Sequence, residues 1–87
     1  MQENDQKKMI CKALGDVLQE LRGEQSQFMF SSENDISVSI INTIERGLKD
    51  PQLTTIFKIS EALGMKSSDF VKLVENKLPK DFTMLDL

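Results

Sequence analysis

Residues 26–47 read Ser26-Gln27-Phe28-Met29-Phe30-Ser31-Ser32-Glu33-Asn34-Asp35-Ile36-Ser37-Val38-Ser39-Ile40-Ile41-Asn42-Thr43-Ile44-Glu45-Arg46-Gly47. Two short stretches with helical spacing flank Asn34-Asp35, and a serine opens each. The Ser26 hydroxyl can accept from a free amide at a helix start, which predicts a helix over roughly 27–33. Asn34 and Asp35 tolerate the left-handed backbone better than most residues, which predicts a turn. Ser37 is placed to cap a further helix over roughly 38–46, with Gly47 as its stop. Small or apolar residues fall where the two helices must touch: Phe30, Ser31, Ile36, Ile41 and Ile44. Val38, Ser39, Asn42 and Thr43 are left facing outward. Two short helices about so tight a turn are the pattern expected of a helix-turn-helix, an arrangement in which the second helix can lie in the major groove of DNA while the first crosses the backbone. The amides at the start of the first can hold a phosphate.

On the N-terminal side, Ile10, Leu14, Val17, Leu18 and Leu21 follow the i, i+4, i+7, i+8, i+11 spacing of one buried helix face, with Gly23 as its stop. On the C-terminal side, Pro51 precedes a predicted helix over roughly 52–63, with Leu53, Ile56, Phe57, Ser60 and Leu63 on one side and Gly64 at its end. A last helix over roughly 68–77 opens at Ser67 or Ser68 and carries Phe70, Val71, Leu73 and Val74. Pro79 prevents its continuation. The chain has no Trp, no Tyr and no sustained alternation of apolar and polar residues, so strands are not expected. The fold class is therefore all-α, a compact bundle of five helices. Its domain spans 1–78, with a short flexible N-terminus over about 1–6.

With 87 residues, the chain is one small domain. A composition 39 % hydrophobic and 29 % charged is that of a globular domain and not of a disordered segment. No apolar run approaches the ~20 residues of a membrane span, and Met1–Lys8 lacks the apolar core of a secretory signal. A cytoplasmic protein without membrane contact is expected. Histidine is absent, so a Ser/His/Asp set and His metal ligation are ruled out. Cys11 is the single cysteine and has no disulfide partner in the chain; its place in the pattern is the core or boundary of the first helix. The acidic residues are too scattered for a metal site. No cofactor and no enzymatic activity are expected, and binding is the better reading of so short a chain.

The net charge of −3 lies wholly in the middle of the chain. Residues 24–50 carry Arg46 and Lys49 against Glu24, Glu33, Asp35, Glu45 and Asp50, while the flanking segments are each balanced. Affinity for DNA leans on neutralised phosphates, so Glu33, Asp35 and Asp50 are expected to point away from a bound duplex.

The chain resembles the phage-repressor-like (Xre/Cro type) helix-turn-helix transcriptional regulators over about residues 13–75. The resemblance rests on Leu21-Arg22, Ser26-Gln27, Ile36-Ser37, the run Ile41-Asn42-Thr43-Ile44-Glu45-Arg46-Gly47, Pro51, and Ile56-Phe57-Lys58-Ile59-Ser60-Glu61-Ala62-Leu63-Gly64-Met65. It implies the lambda-repressor-like fold and a homodimer on a palindromic double-stranded DNA operator. It implies that Gln27 contacts a phosphate or the first base. Val38, Ser39 and Thr43, with Asn42 beside them, match the base-reading positions of the helix that begins at Ser37. Arg46 and Lys49 match backbone-contacting positions, and Arg22 and Glu45 match a structural pair. Asp35 stands where the family's turn has Gly, and Ser31 where it has Ala. The loop from Arg22 to Ser26 is shorter than usual, and Phe28 and Met29 are expected to fill the space this leaves.

The function expected is a sequence-specific transcriptional regulator, a repressor of bacterial or mobile-element origin. The alternative is a protein-interaction module, antitoxin-like or adaptor, which keeps the fold without strong DNA binding and meets a protein partner through Phe28 and Met29 or the tail. The tail, residues 79–87, is too apolar for a free end; it is expected to be a lid on the core or, by a small margin, a dimerisation element.

Overall fold

The computed structural model describes residues 3–85. Among them five helices follow in order: α1 (Glu3–Arg22), α2 (Gln27–Asn34), α3 (Val38–Glu45), α4 (Leu53–Ala62) and α5 (Ser67–Asn76). The expected all-α architecture is the one found. Helix α1 packs on α3 and α5, α2 packs on α3, and α4 packs on α5. Leu14, Val17 and Leu18 of α1 meet Phe30, Ile36, Ile41 and Ile44 of the α2–α3 pair in one core, closed by Ile59, Phe70 and Val74. Cys11 is buried at its edge.

Helix α1 starts at Glu3, well before the apolar pattern begins, so residues 3–6 of the expected loose end are helical. Gln6 explains this. It is buried, and its Nε2 donates to the carbonyl oxygen of Thr83 in the tail. Leu78 packs on the core, and Phe82 is half-buried. The tail therefore lies along the start of α1, while Met84 and Leu85 stay exposed. Residues 86 and 87, also part of the expected tail element, lie outside the described residues. A 2.6 Å ion pair from Lys77 to Glu20 ties the end of α5 to α1.

The turn between α2 and α3 is built on Asp35, which adopts φ 53° and ψ 46°. Its amide donates to the Ser31 carbonyl and so satisfies the last turn of α2. Ser26 caps α2 as its sequence position implies: its Oγ accepts from the Met29 amide at 3.1 Å. Ser37 occupies the start of α3, but its hydroxyl makes no capping bond. Helix α5 opens after Lys66, not after Ser67 or Ser68.

Two apolar faces differ from the spacing-based expectation. In α4, Ile59 and Ser60 are buried, whereas Leu53 and Phe57 are exposed. Helix α4 rests chiefly on α5, and Ile56 and Leu63 pack on the core beside Ile59, which turns Leu53 and Phe57 outward. In α5, Phe70 and Val74 are buried, and Val71 and Leu73 face out.

Candidate nucleic-acid interface

Helix α3 owes its position to α1. Ile41 and Ile44 are wholly buried and set the inward side of α3. Opposite α3 on α1 stands Gly15, where an added Cβ would lie 2.8 Å from the Glu45 carbonyl oxygen and in still closer contact with that of Ile44. No larger residue permits this approach. The side of α3 away from the core then carries Val38, Ser39 and Asn42, all exposed, with Thr43 half-buried beside them. Ser37 is exposed just ahead of them. The Thr43 hydroxyl donates to the Ser39 carbonyl oxygen at 2.7 Å, which uses its one proton and leaves its oxygen able to accept.

The C-terminal end of α3 is clamped by charge. Arg22 Nε donates to Glu45 Oε2 at 2.7 Å and Nη2 donates to Glu45 Oε1 at 2.8 Å, a two-pronged contact. The side chains are 11 % and 5 % exposed, so the pair is shielded from water. Arg22 Nη1 also donates to the Gln25 carbonyl oxygen. The hydrogen bond to Glu45 holds the Arg22 guanidinium above its ordinary titration range, so it stays charged at every relevant pH.

The network continues toward the surface. Gln27 Nε2 donates to Glu45 Oε1 at 3.0 Å, and Asn42 Nδ2 donates to Gln27 Oε1 at 3.3 Å. Arg22, Glu45, Gln27 and Asn42 thus form one chain across α1, α2 and α3. Of the positions marked in the sequence, Gln27 and Asn42 are joined directly, and Val38, Ser39 and Thr43 share their surface. Arg46 and Lys49 are exposed at and beyond the end of α3, outside the network.

Besides Glu45, three acidic residues of the middle segment have partners of their own. Glu33 accepts from Gln25 Nε2 at 2.7 Å. Asp35 lies 3.9 Å from Lys58, and Asp50 lies 3.9 Å from Lys7. Phe28 and Met29 do not fill space behind the short loop; they are 68 % and 46 % exposed. The Arg22 guanidinium, bonded to the Gln25 carbonyl, closes that corner instead.

Sequence reasoning passed over Gly15. Its signal was present, since an isolated glycine inside a helical apolar pattern often marks a close backbone approach. The basic residues of α1 were also passed over, because nothing in their spacing tells which element they face.

The helix-turn-helix family model matches residues 26–71, more than half of the chain. The chain belongs to the phage-repressor-like helix-turn-helix family, a family of DNA-binding regulators. No curated protein and no solved structure matches it. Among the described residues, no helix is long and apolar enough to cross a membrane.

Proposed function

We propose that this protein is a cytoplasmic, sequence-specific transcriptional repressor that reads a palindromic operator as a homodimer, with α3 in the major groove. The observation that carries this is the sidedness of α3: Ile41 and Ile44 are wholly buried, while Val38, Ser39 and Asn42 stand clear on the other side. In this reading Ser39, Asn42 and Thr43 make polar contacts with base edges, and Val38 meets a thymine methyl group. Gln27, at the start of α2, meets a phosphate, as do Arg46 and Lys49. Two such helices, related by a two-fold axis, reach half-sites about 34 Å apart. Regulation then follows from concentration and dimer formation.

Selection from pooled random duplexes at low salt tests this. Enrichment of one palindrome is the expected result. Recovery of a random pool, together with a protein that co-purifies at fixed stoichiometry, would replace it with a protein-contact role. The adjacent exposed Phe28 and Met29 favour that second reading, since exposed large apolar groups often mark contacts.

A further inference from the structure

The cations missing from the middle segment stand beside it on α1. A groove of about 540 Å³ runs between the first half of α1 and the chain that follows α3. Asn4, Lys8 and Lys12 line its α1 wall at successive i, i+4 positions, with Lys7 next to them. Arg46 and Gly47 form the facing wall. The two walls are fixed relative to each other, because a Cβ on Gly47 would stand 3.3 Å from the Lys12 Cα. The Arg46 amide donates to the Asn42 carbonyl oxygen at 3.1 Å, so the groove begins where α3 ends.

Charge favours a polyanion there. Of the acidic residues on the groove, Glu45 is held by Arg22, Asp16 by Lys12 at 3.0 Å, and Asp50 lies 3.9 Å from Lys7. Lys8 and Arg46 have no acidic partner among the described residues. With Glu45 neutralised by Arg22, the cations Lys7, Lys8, Lys12 and Arg46 on the groove face only Asp16 and Asp50, so the groove keeps positive charge in excess. A row of lysines along an open groove suits the repeated charges of a duplex backbone, which needs several neutralising groups in line.

We propose that this groove is a second binding surface for DNA, in which Lys8 and Lys12, with Lys7, hold backbone phosphates flanking the base pairs that α3 reads. The proposal rests on the DNA-binding reading above. It explains how a helix-turn-helix with an acidic middle segment holds a polyanion: the neutralising charge comes from α1.

The test is a salt series from about 50 to 200 mM on one duplex recovered from the random pool, comparing wild type, K8Q/K12Q and K66Q/K72Q. The last variant removes the same charge from the start and middle of α5, outside the groove. For K8Q/K12Q the plot of log K against log salt should become shallower by about 0.9 for each phosphate no longer neutralised, with affinity at low salt about tenfold weaker and base preference unchanged. K66Q/K72Q should keep the wild-type slope. An unaltered slope in K8Q/K12Q, or an equal loss of affinity in K66Q/K72Q, overturns DNA binding by the groove and leaves α3 reading intact. A wild type that retains no duplex at low salt overturns both.

Discussion

The α-carbon of Gly15 faces the last turn of α3 so closely that a methyl group on it would stand 2.8 Å from the carbonyl oxygen of Glu45. The seat of α3 on α1 depends on that approach. The neighbour is rigid helix backbone and cannot step aside as a flexible side chain would.

Replacing Gly15 with Ala should therefore destabilise the fold by about 1–3 kcal/mol, although alanine favours an isolated helix. Urea denaturation measures the loss, and a variant as stable as wild type would mean that α3 can shift freely on α1.

Removing one partner of the shielded Arg22–Glu45 pair leaves the other charge uncompensated. Arg22→Gln should cost about 3–5 kcal/mol, whereas joint replacement by apolar residues, Arg22→Met with Glu45→Leu, should cost much less. The double variant should nevertheless bind DNA more weakly, since Gln27 loses the carboxylate that orients it. Stability and duplex affinity, measured on both variants, separate the two effects.

The Ser31 hydroxyl is buried and finds no hydrogen-bond partner among the described residues. Ser31→Ala should stabilise the protein by about 1 kcal/mol by removing an unpaired polar group from the α2–α3 contact. A lower denaturation midpoint would show that the hydroxyl is satisfied in solution.

For Ser39→Ala combined with Thr43→Ala, the fold should persist and operator discrimination should fall, because only outward-facing groups are removed. Unchanged discrimination in a random-duplex selection would remove α3 from the reading role. Lys49→Glu should weaken binding to every sequence alike and reduce its salt slope.

Burial first, and Asp50 second, push the Cys11 thiol above a cysteine's ordinary value of 9.0, against a smaller opposing effect of Lys7. The native thiol should resist iodoacetamide at pH 8 and react once urea exposes it. In the unfolded chain the thiol loses its proton near 9.0 while the folded protein retains its own. The contribution of Cys11 to stability is thus complete below that value and is lost as pH rises through the raised, folded one. Rapid native alkylation at pH 8 would contradict this burial.

Much of the architecture was legible in local residue chemistry. Ser26 caps α2, Asn34-Asp35 makes the turn, and the isoleucines at 36, 41 and 44 point inward, because caps, turns and spacing act over a few residues. The faces of α4 and α5 were less legible. Leu53 and Phe57 share the helical spacing of core residues, yet both are exposed, while Ile59, off that spacing, is wholly buried. The contact of the tail with α1 was not legible either, since it runs through Gln6, a polar residue far away in the chain, which donates to the Thr83 carbonyl oxygen.

The amino-acid order alone determined that residues 26–47 form two short helices about a tight turn, and which edge of the second is polar. Each of those decisions is made within one or two helical turns. Only the tertiary structure decided that Gly15 admits α3 so closely and that Arg22 reaches Glu45, which in turn holds Gln27. It also decided that the lysines of α1 share a groove with Arg46. Those relationships join residues 18 or more positions apart, and long-range packing, not local preference, brings them together.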